Sequence, residues 1–154
     1  MIGAIVSDLE GVTAAEPLTI MEQLPTAREY NRLRAAVGWK TYDEVSAGRH
    51  LPASLYGVCA RSGGEPVGMA RVVGDGGLVF YIQDVIVVPE WQRRGIGTLL
   101  MDRVIEYVRQ NAFEQSYVGL MSAKGKEPFY EKYGFTARPT HTLGAGMTIF
   151  WKVE

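Results

Sequence analysis

Cysteine and net charge are both scarce in this sequence. Among 154 residues there is a single cysteine, Cys59, and the formal net charge is only −1. One cysteine cannot form an internal disulfide, which excludes a disulfide-held fold. Cys59 lies in an apolar, strand-like run and is predicted to be a small buried residue rather than a reactive thiol. The low net charge provides no general attraction for nucleic acid or an anionic membrane, so a site for an anion must be local.

Long apolar runs are lacking as well. No run approaches the ~18 apolar residues that a membrane span requires, and the N-terminus has no basic segment of the kind that opens a signal peptide. We therefore expect a cytoplasmic protein. The two histidines, His50 and His141, stand apart without the spacing of metal ligands, so no metal is expected.

The composition is that of one ordinary globular domain, with 47% hydrophobic and 21% charged residues. We expect a single domain over residues 1–154, in which residues 1–17 are a flexible arm or an extra strand. Periodicity and turn residues predict strands at 18–22, 54–61, 67–73, 78–88, 116–121 and 147–151. Helices are predicted near 26–37, from 96 to about 112 and at 126–133, with a short helix or ordered loop at 39–48. The three strands between 54 and 88 should form an antiparallel meander, and the strands on either side of the long helix a parallel crossover.

The stretch from residue 84 to residue 101 carries the strongest signal. An apolar run ends at a proline, a short basic turn follows, and Gly95 and Gly97 then open an amphipathic helix. The start of a helix has unpaired N–H groups and about half a positive charge, and glycine lets a ligand approach the backbone closely. Arg93 and Arg94 add positive charge where cations are unfavourable. This conflict indicates that a phosphate or pyrophosphate binds there.

Two glycines alone are a weak signal. Leu100 stands where the dinucleotide-binding pattern Gly-x-Gly-x-x-Gly needs a third glycine or alanine, which disfavours a nucleotide-binding oxidoreductase. A phosphate loop ending in Gly-Lys-Ser/Thr is absent from the sequence, which argues against a nucleotide triphosphatase.

Two longer motifs are more specific. Gln92-Arg-Arg-Gly-Ile-Gly97, placed between a strand and an amphipathic helix, resembles the central Gln/Arg-x-x-Gly-x-Gly/Ala motif of the GNAT superfamily of acyl-CoA N-acyltransferases. Downstream, Pro128-Phe-Tyr-Glu-Lys-Tyr-Gly-Phe135 resembles the Phe-Tyr-x-x-x-Gly-Phe element of that family. The match covers residues 66–136. The segment 146–151, taken with 129–135, is similar to serotonin- and aralkylamine-type acetyltransferases of bacteria and plants.

The resemblance implies a mixed α/β fold, in which a V-shaped, mostly antiparallel sheet is flanked by helices, and acetyl-CoA as co-substrate. By position, Val85, Ile86 and Val87 would contact the pantetheine arm of coenzyme A. A second group would cradle the pyrophosphate with its backbone: Arg93, Arg94, Gly95, Ile96, Gly97 and Thr98.

Tyr130 matches the family tyrosine that protonates the departing thiolate of coenzyme A. A phenol suits this task because it is neutral at pH 7 and can donate a proton. The alternative is a tyrosine packed among the neighbouring aromatic residues Phe129 and Tyr133.

Asp84 is an acid within an otherwise apolar run, and burying an acid is costly unless it has a partner or a task. It is either a general base that removes a proton from the substrate ammonium, a ligand of that ammonium, or a structural acid that caps a nearby loop or pairs with Arg71. Trp39 and Tyr42 either form an aromatic wall for an arylalkyl amine or pack a helix on the sheet.

These expectations combine into an N-acetyltransferase that moves the acetyl group of acetyl-CoA to the primary amine of a small molecule by direct attack in a ternary complex. Many members of the family form dimers, so the resemblance also allows a homodimer. A non-catalytic acyl-CoA-binding sensor and acetylation of a protein or peptide amine remain as alternatives.

Overall fold

A five-stranded sheet, with its strands in chain order, organises the computed structural model of the protein, which describes residues 16–153. Its strands are β1 (Leu18–Met21), β2 (Tyr56–Ser62), β3 (Glu65–Gly74), β4 (Val79–Val87) and β5 (Tyr117–Leu120). The helices are α1 (Ala27–Ala36), α2 (Glu44–His50), α3 (Ile96–Asn111) and α4 (Glu127–Glu131), with 3₁₀ turns at Leu51–Ala53 and Pro89–Trp91. Neighbouring strands are antiparallel except β4 and β5, which are parallel on either side of α3.

The predicted mixed α/β architecture, the meander and the parallel crossover are confirmed. The predicted strand at 147–151 is wrong. This tail forms no strand, and its apolar side chains are exposed, from 80% at Ile149 to 91% at Met147. The tail has the composition of a strand, but within residues 16–153 no neighbouring strand pairs with its N–H and C=O groups, and a strand needs such a partner. The predicted arm at 1–17 lies almost wholly outside the described residues.

Each face of the sheet has its own core. Helix α3 covers one face, where Phe80 and Ile82 of β4 pack with Leu100 and Val104. Helices α1 and α2 cover the other face, where Cys59 and Ile86 are buried with their neighbours. Cys59 is fully buried, as predicted, and burial raises the pKa of its thiol to about 11. A thiol with this pKa is protonated at neutral pH, which is consistent with a packing role.

Strand β4 contains a bulge at residues 84 and 85. Arg71 pairs with Gln83 and Met69 with Ile86, so Ala70 of β3 faces two residues of β4. Asp84 has φ of 55°, in the left-handed region that non-glycine residues rarely occupy except in such features. The parallel pairing of β4 with β5 ends one residue before Gln83, at Ile82 and Leu120. The pairing of the two strands therefore ends just before the bulge begins, which is where the resemblance places the opening of the sheet.

Helix α1 is fixed on the sheet by its first turn. Thr26 caps the helix and accepts a hydrogen bond from the N–H of Glu29, whose carboxylate accepts one from the N–H of Thr26. The same carboxylate pairs with both terminal nitrogens of Arg61 on β2, at 2.9 and 3.1 Å. This pairing determines how α1 presents its buried residues Tyr30 and Arg34 to the sheet.

Candidate functional site

The N-terminal end of α3 is open to a ligand. Gly95 caps the helix with φ of 80°, and no side chain of the cap residue accepts a hydrogen bond from the first turn. Arg93, which has φ of 59°, and Arg94 are exposed before it. The unpaired N–H groups and the positive end of the helix dipole thus directly follow two exposed arginines in the chain. This arrangement fits an anion of the size and charge of a pyrophosphate.

The basic turn before α3 is anchored to β4. The Gln92 side chain donates a hydrogen bond from Nε2 to the carbonyl oxygen of Val87, at 2.8 Å. The guanidinium of Arg94 lies over the ring of Trp91, 4.9 Å from its centre. These contacts hold the turn at the end of the strand, and they explain why a glutamine begins the motif.

The far half of β4 offers a free edge. From Gln83 to Val87, no described residue of β5 pairs with β4. The half-buried side chains of Val85 and Val87 pack against the core under α3, whereas Ile86 is 1% exposed in the core under α1 and α2. At this edge, a ligand can therefore reach only the backbone of Ile86. An extended ligand could pair with these backbone groups in the place of a strand.

Tyr130 lies on α4 beside the start of α3. It is 9% exposed and packs edge-to-face against Phe129 and Phe135, at centre distances of 5.1 and 6.4 Å. Burial raises the pKa of its hydroxyl, and no hydrogen bond of this hydroxyl is found among residues 16–153. A cavity of about 650 Å³ between α3, β5 and α4 is lined in part by Tyr130. Both interpretations of Tyr130 thus have structural support: its ring is part of an aromatic cluster, and its hydroxyl has no hydrogen-bond partner in the described chain.

The two sequence motifs meet at the start of α3. A side chain at Gly97 would begin 3.6 Å from the ring of Phe129, so α4 lies directly over this turn of the helix. The single hydroxyl proton of Tyr133 is within reach of two acceptors on α3, the carboxylate of Asp102 at 3.1 Å and the carbonyl oxygen of Thr98 at 3.4 Å, which fixes α4 on α3.

Asp84 lies on the opposite face of the sheet from Tyr130, at the centre of a buried polar cluster. Its carboxylate accepts hydrogen bonds from Arg34 Nη1 at 2.5 Å, Arg71 Nε at 2.8 Å and the hydroxyl of Tyr30 at 2.8 Å. The side chain of Asp84 is fully buried, and those of Arg34 and Arg71 are 10% and 17% exposed. Burial and the adjacent carboxylate raise the pKa of Tyr30 to about 12, so its hydroxyl remains a donor at neutral pH. The pairing with Arg71, which the sequence left open, is present. Arg34, Tyr30 and, at 3.5 Å, the amide of Gln83 also donate to Asp84, and the sequence did not indicate these donors.

Aromatic rings surround this cluster. The Arg34 guanidinium lies 4.8 Å from the ring centre of Tyr42 and 5.4 Å from that of Trp39, and its Nε donates to the carbonyl oxygen of Lys40. Tyr42 also stacks on Tyr30. A second cavity, of about 260 Å³, opens beside this stack, and His50 lines it together with Arg71. Trp39 and Tyr42 thus pack around an arginine, and Tyr42 in addition forms part of a cavity wall.

Comparison with known proteins identifies the family. A family model described as an acetyltransferase (GNAT) domain matches residues 27–150, about four-fifths of the chain. This chain belongs to the GNAT family. GNAT acetyltransferases use acetyl-CoA, which accords with the open end of α3 and the free edge of β4.

Its GNAT relatives include plant and bacterial proteins. The chain is 32% identical over 119 residues to GCN5-related N-acetyltransferase 1, chloroplastic, of Arabidopsis thaliana, covering 75% of this chain and 59% of that protein. It is 31% identical over 118 residues to serotonin N-acetyltransferase 2, chloroplastic, of rice, covering 74% and 58%. A probable acetyltransferase of Staphylococcus aureus has a similar structure, with a TM-score of 0.81 and 31% identity over 88% of this chain and 100% of its own.

The chain spans less than two thirds of the length of these plant relatives, at 59% and 58%. Within residues 16–153, no helix is both long enough and apolar enough to cross a membrane.

Proposed function

We propose that this GNAT protein moves the acetyl group of acetyl-CoA to the primary amine of a small molecule, by direct attack in a ternary complex. The observation that carries the proposal is the uncapped start of α3 beside the unpaired edge of β4. The first suits a pyrophosphate and the second an extended pantetheine arm. Acetyl-CoA supplies the acetyl thioester. The amine nitrogen bonds to the acetyl carbon as the carbon–sulfur bond breaks, and the nitrogen loses one proton to water, which balances the proton that the departing thiolate takes up.

The residues have separate tasks in this proposal. The backbone of Arg93 to Thr98 binds the pyrophosphate, and the edge from Val85 to Val87 binds the pantetheine. Free N–H groups of this edge also polarise the acetyl carbonyl, as in an oxyanion hole. Tyr130 donates a proton to the departing thiolate. Its buried hydroxyl with a raised pKa is a suitable donor because it is protonated at neutral pH.

Asp84 fits a positioning task better than that of a general base. Three donors, one each from Arg34, Arg71 and Tyr30, already occupy its two oxygens. A carboxylate held in this way fixes the arginines and the tyrosine beside the bulge, and has little room to accept a proton from an amine. The base and ammonium-ligand roles of Asp84 remain predictions that its substitution can test.

The proposed reaction is tested by thiol release from acetyl-CoA with a panel of arylalkylamines, polyamines, amino acids, aminoglycosides and short peptides. We expect amine-dependent release that falls about 10²-fold or more in Tyr130→Phe, in line with the usual contribution of general acid catalysis. Tyr56→Phe is the matched control, because Tyr56 packs on Tyr107 in the second half of α3 and carries no proposed task. Full turnover in Tyr130→Phe would exclude the acid role. Binding of acetyl-CoA without release with any amine would favour the sensor, and release with peptides alone would favour a protein acceptor.

We further propose that the protein forms a homodimer. The apolar tail at 147–153 is exposed, and the outer edge of β5 has no partner strand among residues 16–153. Exposed apolar segments and free strand edges are both typical of surfaces that bind another chain. Sedimentation velocity should show a dimer that becomes a monomer when residues 147–154 are deleted. A monomer for the full chain at all concentrations would contradict this.

The cytoplasmic location remains a prediction, and the two plant relatives are named as chloroplastic. The name of the rice relative, a serotonin N-acetyltransferase, supports an arylalkyl amine as one acceptor class to include in the panel.

A further inference from the structure

The cavity beside the Asp84 cluster has a position and chemistry that suit the acceptor. It lies on the face covered by α1 and α2, next to the bulge, and Arg71 is one of its walls. Arg71 pairs with Gln83, the first residue of β4 beyond its pairing with β5. One wall of the cavity, Arg71, is thus paired with the residue of β4 at which the unpaired edge begins.

The charges around this cavity do not balance. The buried Arg34 and the partly buried Arg71 share one carboxylate, that of Asp84. Among the described residues that hydrogen-bond to these three side chains, there is no second acid. The cluster thus carries one excess positive charge in surroundings with little water, where an unpaired charge is unfavourable.

Arg71 carries the part of that charge that a ligand can reach. Arg34 is occupied by Asp84 and the carbonyl of Lys40 and is covered by aromatic rings. Arg71 uses Nε for Asp84 and Nη1 for Ser54, whereas its Nη2 makes no hydrogen bond to any residue in 16–153. Arg71 lines the cavity. A guanidinium that lines a cavity, and that has an N–H group without a partner in the described chain, is suited to bind a carboxylate.

The remaining walls are suited to an apolar or aromatic body. Tyr30 and Tyr42 stack at 6.2 Å with an angle of 13° between their planes, and Leu51 contributes an apolar side chain. Ser46 and His50 are the polar side chains at the rim. A flat or branched apolar group can pack against such walls while its charged end reaches Arg71.

We infer that the acceptor is an amino acid with an apolar or aromatic side chain, whose carboxylate pairs with Arg71 while its amine receives the acetyl group. The inference rests on the proposed function, since it assigns the acceptor of that reaction. It differs from a simple arylalkyl amine, which would bring a second cation to a cluster that already has excess positive charge and no anion to neutralise it.

The test uses pairs of acceptors that differ only in the carboxylate: phenylalanine with phenethylamine, and 5-hydroxytryptophan with serotonin. Calorimetry measures their binding to the wild-type protein, and thiol release measures their kcat/KM. We expect the amino acid of each pair to be favoured about tenfold or more in both measurements, as for a charge-assisted hydrogen bond. Arg71→Lys keeps the positive charge but places all its N–H groups on one nitrogen, which cannot span Asp84, Ser54 and a ligand as the planar guanidinium can, and should remove most of this preference. Ser54→Ala, which leaves the guanidinium intact, should retain it.

The outcomes separate the two proposals. Equal or better binding and turnover of the amines that lack a carboxylate would overturn the acceptor inference and leave the acetyltransferase intact. A preference for the amino acids that survives in Arg71→Lys would also overturn it. If no acceptor of any class releases thiol, the proposed function fails, and the calorimetric comparison still decides whether the cavity binds a carboxylate through Arg71.

Discussion

The two sides of the bulge in β4 are built in opposite ways. On one side, the edge from Gln83 to Val87 and the start of α3 present backbone groups without strand or cap partners in the described chain. On the other side, the cluster around Asp84 consists of side chains, nearly all of which are paired with one another. The backbone groups of β4 and α3 can bind the same cofactor throughout a family, because their geometry depends little on residue identity. The side chains of the Asp84 cluster can differ from one member of the family to the next, and can therefore determine which acceptor binds.

The largest effect is expected from the side-chain cluster. Asp84→Asn leaves Arg34 and Arg71 buried without their carboxylate, which should lower the free energy of unfolding by about 3–5 kcal/mol. Asparagine tolerates the left-handed conformation of residue 84, so the loss of charge is the main change. Urea unfolding measures the effect.

The control is Asp102→Asn, which changes an exposed acid that accepts a hydrogen bond from Tyr133 and should cost less than about 1 kcal/mol. If Asp84→Asn retained wild-type stability and lost only turnover, Asp84 would be a base rather than a positioning residue.

A smaller effect, dependent on pH, is expected from the link between α1 and β2 that positions this cluster. The hydrogen bonds from Arg61 lower the pKa of Glu29 from 4.5 to about 2. Because the folded-state pKa lies below the unfolded one, the pair stabilises the fold above pH ~4.5 and loses its contribution as the pH falls towards 2, by about 3 kcal/mol in all.

Chemical unfolding at a series of pH values tests this expectation, with Glu29→Gln as the comparison. The difference in unfolding free energy between the wild type and Glu29→Gln should shrink over the interval from pH 4.5 to 2. A difference that does not change with pH in this interval would show that the ion pair contributes nothing specific.

The smallest effect on stability is expected at the start of α3. Gly95→Ala places a side chain where φ is 80°, at a cost of about 1 kcal/mol, although no atom lies within 4 Å of the added carbon. Gly38→Ala is a matched control, because Gly38 has φ of 75° and the same open surroundings at the end of α1. Both variants should lose similar stability, but only Gly95→Ala should bind coenzyme A more weakly in calorimetry. Equal affinity in the two variants would contradict the assignment of this turn to the pyrophosphate.

The free edge of β4 and the start of α3 could be predicted well from the sequence, because their residues are contiguous. Strand, basic turn and helix follow one another between residues 79 and 111, and the pattern of apolar residues and glycines indicates each of them. The same contiguity allowed the family resemblance to be found. The tail at 147–153 shows the limit of such patterns, since its apolar residues indicate a strand but cannot indicate a partner for it.

The side-chain cluster could not be predicted in the same way, because its members come from α1, β3 and β4. Only the pairing of Asp84 with Arg71 was anticipated, from the cost of an isolated buried acid. Tyr30 and Arg34 are four residues apart and therefore lie on one face of α1. An arginine on the apolar face of this helix was the feature of the sequence that could have indicated the cluster. His50 was judged isolated in the sequence, yet the fold brings it to the same cavity as Arg71.

The bulge makes the number of residues in β4 important for the fold, and not only their type. Between its two fixed register points β3 has one residue, whereas β4 has two. Deleting one of these two residues would remove the bulge while Ile86 still paired with Met69, so the segment would lose either the carboxylate of Asp84 or the side chain of Val85. This segment should therefore accept many apolar substitutions but no single-residue change in length. Homologous chains that share this reaction should align across it without gaps.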